Sequence, residues 1–114
     1  MAALTVQEIT RAGVVPTYAA ADSEGDTFTD ASRGARCMVH VKNGGGAPIN
    51  VTIDSTRTFA ANSGAAAADL VIAVANGAER MIGPFGPDFS TSAGLVTISY
   101  SAVTSVTVAA IRLP

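Results

Sequence analysis

Apolar and polar residues alternate with a period of two through much of the chain, most clearly in residues 35–54, ARCMVHVKNGGGAPINVTID. Cys37, Val39 and Val41 alternate with Met38, His40 and Lys42, and Ile49, Val51 and Ile53 alternate with Asn50, Thr52 and Asp54. Successive side chains of a strand point to opposite faces, so each run predicts a strand with one apolar face. Asn43 and the glycines after it tolerate positive φ, which predicts a central hairpin that reverses there. A closing hairpin is expected from residues 94–101 and 105–112, where Val96, Ile98 and Tyr100 alternate on one strand and Val106, Val108 and Ala110 on the next. Residues 70–75 and 79–85 flank Asn76-Gly77, a turn signal that predicts a further hairpin.

Elsewhere the pattern is weaker. In the opening LTVQEITRAGVVPTY, Leu4, Val6 and Ile9 fit neither period, and Pro16 opposes helix continuation. This stretch reads as an extended arm with some strand character, either docked on a neighbour or forming an edge strand of the chain's own sheet. A short strand is expected at 26–29, followed by a turn at Ser32, Arg33 and Gly34. Residues 55–69 lack a sustained period and read as a long surface loop, in which the alanines from Ala65 onward suit a helical turn. In IGPFGPDF the prolines and glycines end a strand, and Phe85 and Phe89 are expected to cover one end of the core. About seven or eight short strands at such spacing predict an all-β fold: one antiparallel β-sandwich or small barrel, jelly-roll-like, spanning residues 16–114 behind an arm of residues 1–15.

Composition narrows the picture. The chain has 114 residues, enough for one core; 48% are hydrophobic, only 14% are charged, and tryptophan is absent. Small side chains must build the core, which suits closely packed sheets. So few charges are unusual for a small free monomer and imply that other protein covers part of the surface. A net charge of −2 with scattered Lys and Arg gives no field for nucleic acid. Neither a secretory leader nor an apolar stretch of the ~20 residues needed by a membrane helix is evident, so a soluble protein is expected.

Candidate chemistry is thin. Cys37 and His40 lie close in sequence, but their odd separation on a strand puts them on opposite faces and denies the thiol its base. One histidine and one cysteine do not make a zinc site. The acidic run Asp22, Glu24, Asp26 and Asp30 fails as an EF-hand loop, since Thr27 stands where glycine is needed and Arg33 where a bidentate glutamate is needed; a solvated acidic loop is expected. The glycine triplet is followed by neither Gly-Lys-Ser/Thr nor a helix, which leaves it without the features of a phosphate-binding loop. No enzyme, metal or cofactor is therefore expected. The surface suits protein docking, with Arg11, Arg33, Arg36, Arg57 and Arg80 as candidate contacts.

Taken together, TVQEITRAGVVPTY with AADSEGDTF, the central VHVKNGGGAPINVTIDS, and GAERMIGPF with GLVTISYSAVTSVTVAAIRL resemble small proteins from the head-morphogenesis region of tailed bacteriophages. The resemblance implies a virion structural protein, made in the host cytoplasm and placed on the capsid surface as a decoration (cement) protein. Its implied partners are the major capsid protein and further copies of itself, a trimer being favoured, with no direct contact to nucleic acid or membrane. The residues assigned to partner contact are Leu4, Val6, Ile9, Arg11, Arg33 and Arg57. Alternatives are a head–tail connector or tail-tube component and, from another class, a carbohydrate-binding β-sandwich.

Overall fold

A computed structural model of the chain describes residues 2–29, 36–55, 58–59, 65–66, 69–85, 89 and 94–113. The strands are β1 (Ala2–Ala3), β2 (Val6–Glu8), β3 (Ala19–Ala20), β4 (Asp26–Thr29), β5 (Cys37–Asn43), β6 (Ile49–Ile53), β7 (Thr58–Phe59), β8 (Ala65–Ala66), β9 (Leu70–Val74), β10 (Glu79–Ile82), β11 (Leu95–Tyr100) and β12 (Val106–Arg112). Two open sheets pack face to face, so the fold is a β-sandwich and not a closed barrel. Sheet A runs β1-β4-β11-β6-β9, and sheet B runs β10-β5-β12-β2, with β3 also on β12. Setting aside β1, β2 and the β7–β8 ribbon, the remaining strands counted in chain order stand 2-7-4-5 in sheet A and 1-8-3-6 in sheet B. That order, antiparallel throughout, is a jelly roll of two interlocked Greek keys.

The expected hairpins are corrected by this topology. β5 and β6 lie in different sheets, and so do β9 and β10, and β11 and β12. Each turn carries the chain from one sheet across to the other, so strands adjacent in sequence face each other through the core without sharing a ladder. The alternation nevertheless assigned their faces. Cys37, Val39 and Val41 of β5 and Val106, Val108 and Ala110 of β12 meet Ile49, Val51 and Ile53 of β6 and Val96 and Ile98 of β11 in the buried core. Phe28 and Phe85 close one end with ring centroids 5.9 Å apart, and Phe89 packs partly buried against the cluster.

The corner between β5 and β6 depends on specific residues. Asn43, expected in a turn, ends β5 and is buried. Its Nδ2 lies 2.9 Å from the Ala47 carbonyl and 3.2 Å from that of Val74, and its Oδ1 accepts the Gly45 N–H at 3.1 Å. One side chain thus ties β5 of sheet B to β9 of sheet A. None of the three glycines has φ in the left-handed region, and Gly44 and Gly45 are needed instead for close approach. A Cβ on Gly45 would stand 2.8 Å from the Thr104 carbonyl oxygen, and one on Gly44 3.0 Å from that of Ser105.

The opening stretch takes the edge-strand alternative. β1 pairs parallel with β4 and β2 pairs parallel with β12, so one short segment extends both sheets. In residues 55–69, β7 and β8 pair as a two-stranded ribbon, which places Ala65 and Ala66 in a strand and not in a helical turn. The expected turn at Ser32, Arg33 and Gly34 lies outside the described residues.

Candidate functional site

The outer face of sheet B gathers most of the polar chemistry. His40 points outward from β5, opposite in direction to the buried Cys37, as their odd spacing requires. Its Nε2 lies 3.2 Å from Glu79 Oε1, and its Nδ1 lies 2.6 Å from the Tyr18 hydroxyl. A carboxylate only accepts, so in the neutral ring Nε2 carries the hydrogen towards Glu79 and Nδ1 accepts from Tyr18. The Tyr18 and His40 rings meet edge-on at 5.5 Å, and the Lys42 ammonium sits 4.1 Å from the Tyr18 ring centroid. Both imidazole nitrogens and the phenol are thereby engaged with one another. The arrangement clamps Tyr18 to the sheet and leaves neither ring nitrogen open towards a substrate or metal.

What the clamp holds is the link between β2 and β3. At the base of this link Gln7 Nε2 donates to the Thr17 carbonyl at 2.8 Å, and the Thr17 N–H donates to Gln7 Oε1 at 2.7 Å. Between these fixed points the link projects Ile9, Val14 and Val15, and Val15 is 90% exposed. Ile9, Val14 and Pro16 lean over Ile111 and, with Gln7, enclose a groove of about 200 Å³. Leu113, also exposed, follows directly after β12, whose last carbonyl, that of Arg112, accepts the Ile9 N–H at 2.9 Å. A second, larger hollow of about 390 Å³ lies where β2 and β3 divide the edge of β12, floored by Val108, Ala109 and Ala110.

The residues assigned to partner contact separate into groups. Leu4 and Val6 are partly buried and pack against the chain's own core. Ile9 and Arg11 belong to the projecting link and are exposed. Arg33 and Arg57 lie outside the described residues. Sequence reasoning missed Val14, Val15 and Leu113; Val-Val-Pro in a non-periodic stretch was the available signal, since apolar residues outside any strand pattern have no core face to occupy.

The acidic loop also differs from expectation. Asp22 is exposed enough to be solvated at its carboxylate, and the Glu24 N–H, 2.9 Å from Asp22 Oδ1, holds its pKa below the usual carboxylate value. Asp26 is instead fully buried at the start of β4. Its Oδ2 accepts the Tyr100 hydroxyl at 2.7 Å and the Asp22 N–H at 3.3 Å, while Oδ1 has no hydrogen-bond partner among the described residues. Burial, and then this bond, push the Tyr100 phenol pKa far above its ordinary value of 10.0. Among the described residues no group of three or more His, Cys, Asp or Glu is placed to hold a metal ion. Among them, too, no helix is long and apolar enough to cross a membrane.

Comparison of the chain with protein-family models, with curated proteins and with solved structures found no match. The class of the protein therefore rests on its architecture, a small jelly-roll β-sandwich whose outward features are a clamped link and an apolar edge.

Proposed function

We propose that this protein is a virion structural protein that binds the outer surface of a phage capsid and stabilises contacts between major capsid protein subunits. The observation that carries the reading is the exposed apolar group Ile9, Val14, Val15 and Leu113, held on a rigid sandwich in a chain with only 14% charged residues. Such a patch costs solubility unless protein covers it. The clamp through Tyr18 and His40 fixes its position before binding, which lowers the ordering cost on docking. Copies repeated over a shell make individually weak contacts sufficient, and self-association, with the trimer favoured by the sequence resemblance, multiplies the effect. The chain would then be made in the host cytoplasm and reside on the capsid surface.

Jelly rolls occur in viral shells and also in lectins, so fold alone does not choose between this reading and a carbohydrate binder. The tyrosines favour the former. Tyr100 bonds inward to Asp26, and Tyr18 has Lys42 over its ring and His40 at its edge, so neither is set out as a flat platform for a sugar.

The test is co-sedimentation of the purified chain with expanded capsids, followed by electron cryomicroscopy of the decorated shell. Saturable binding in copy numbers tied to the lattice is expected, with at least tenfold weaker binding for Val15→Asp combined with Leu113→Asp. Density confined to the tail vertex would assign the protein to the connector or tail, and no binding to capsids would overturn the reading.

A further inference from the structure

The open edges of the two sheets are not alike. β1 and β3 present two residues each and β2 three, while β10 carries Glu79 and Arg80. Short or charged edges are the usual protection against pairing with another chain. β9 has neither. Its five residues, Leu-Val-Ile-Ala-Val, contain no charge, glycine or proline.

The ladder identifies which groups β9 leaves open. Towards β11, Asp54 donates its N–H to Thr97 and Asn50 accepts from Ser101, so Asn50, Thr52 and Asp54 turn their backbone groups that way. By the alternation of an antiparallel ladder, Ile49, Val51 and Ile53 bond towards β9, to Val74, Ile72 and Leu70. Val71 and Ala73 therefore aim their N–H and C=O groups out of the sheet edge, where no described residue meets them. Their side chains lie on the outer face, Val71 55% exposed, while Leu70 and Ile72 lean only partly covered against the core.

We propose that β9 pairs with β9 of a second copy of this chain, antiparallel about a two-fold axis through Ile72, joining the A sheets of two sandwiches into one. The strand is self-complementary in that arrangement. Val71 meets the second copy's Ala73 in a hydrogen-bonded pair, with Cα atoms about 5.5 Å apart, so the open groups of both residues are satisfied. Large faces small on the outer side, and on the inner side Ile72 meets Ile72 and Leu70 meets Val74, which covers the half-exposed pair. Asp69, immediately before the strand, decides the direction. Parallel pairing would stack the two Asp69 carboxylates, whereas antiparallel pairing separates them by roughly 20 Å, at about 3.4 Å per residue. One strand pair buries far less than the roughly 1,200 Å² of a stable complex, so the dimer is concentration-dependent in free solution.

Sedimentation equilibrium of the whole chain and hydrogen exchange across a concentration series test this together. The mass is expected to rise from monomer towards dimer. The Val71 and Ala73 amides should exchange several-fold more slowly as concentration rises, while the Ile72 amide, already bonded to β6, stays unchanged. The double variant Val71→Lys, Ala73→Lys sets like charges directly opposite across the axis and should weaken association at least tenfold with its melting curve retained. If that variant fails to fold, exchange in the unaltered chain decides alone. A monomer at every concentration, or any oligomer, trimer included, in which the Val71 and Ala73 amides keep their monomer exchange rates, would overturn the proposal.

Discussion

The Tyr100 hydroxyl donates to Asp26 Oδ2 at 2.7 Å, joining the end of β11 to the start of β4 inside sheet A. Asp26 is fully buried, its other oxygen has no partner among the described residues, and this bond is the shorter of its side chain's two described hydrogen bonds. Tyr100→Phe removes the donor and leaves a buried acceptor poorly satisfied, a loss expected to cost about 1–3 kcal/mol. Urea denaturation of the two proteins measures it, and an unchanged midpoint would show that Asp26 finds another partner.

The same pair gives an alkaline signature. Burial and Asp26 hold the folded-state phenol above its unfolded pKa of about 10. Above that pH the unfolded chain loses a proton that the folded chain keeps, so stability falls as pH rises from about 10. The urea midpoint is expected to drop between pH 9 and pH 11 less steeply in Tyr100→Phe, an interval of about two units chosen to straddle the unfolded value.

Asp54 works in the opposite sense. Desolvation, and next the nearby Asp69, raise its folded pKa above the ordinary carboxylate value of 3.8. The folded state therefore favours the protonated form, and ionisation at neutral pH is destabilising. Asp54→Asn is expected to gain a few tenths of a kcal/mol at pH 7, a small effect because the group is largely solvent-screened. The advantage should shrink as pH falls through the raised folded pKa; melting temperatures at neutral and acid pH check it.

Gly45 and Gly46 are neighbours with opposite expected tolerances. A Cβ on Gly45 meets the Thr104 carbonyl oxygen at 2.8 Å, whereas one on Gly46 meets nothing within 4 Å. Gly45→Ala should lose about 1–3 kcal/mol from forced backbone movement. Gly46→Ala should be neutral or gain up to about 1 kcal/mol by restricting the unfolded chain. Equal melting temperatures for the two variants would contradict the packed corner.

The Tyr18 clamp should be visible to a protease. Arg11 is exposed within the link that the clamp holds. His40→Ala removes the partner of the Tyr18 hydroxyl and is expected to cost about 1 kcal/mol. Limited trypsin digestion should then cut after Arg11 several-fold faster than in the unaltered chain, with cleavage after Arg112 as the internal comparison.

The strands of four or more residues were legible in the sequence to within a few residues, because burial of one face imposes a period of two, whereas the two-residue strands β3, β7 and β8 were not. Val39 and Val51 each read as inward, and both are fully buried. Their neighbours were not legible. A tight turn such as Asn76-Gly77 fits a hairpin within one sheet or a crossing between two, and only long-range packing decides. Asn43 and Asp26 were misread for a related reason: turn-forming and acidic residues are usually solvated, and nothing local marks the exceptions that bond across the core. Of the candidate site, Ile9 was singled out because it fits neither period and Arg11 because guanidinium groups recur at interfaces; both are exposed, while the link that presents them depends on Tyr18 meeting His40 from 22 residues away.

β12 lies between β5 on one side and β2 with β3 on the other, so the centre of sheet B is synthesised after every other described strand. Until Val106–Arg112 leaves the ribosome, β2 and β3 have no ladder to join and β5 is open along one edge. Sheet B therefore cannot close until β12 has been made, and its folding is governed by contacts distant in sequence and is correspondingly slow. Stop codons placed before Val106 should give chains that are degraded or aggregate, so the codons for β12 decide whether any product survives.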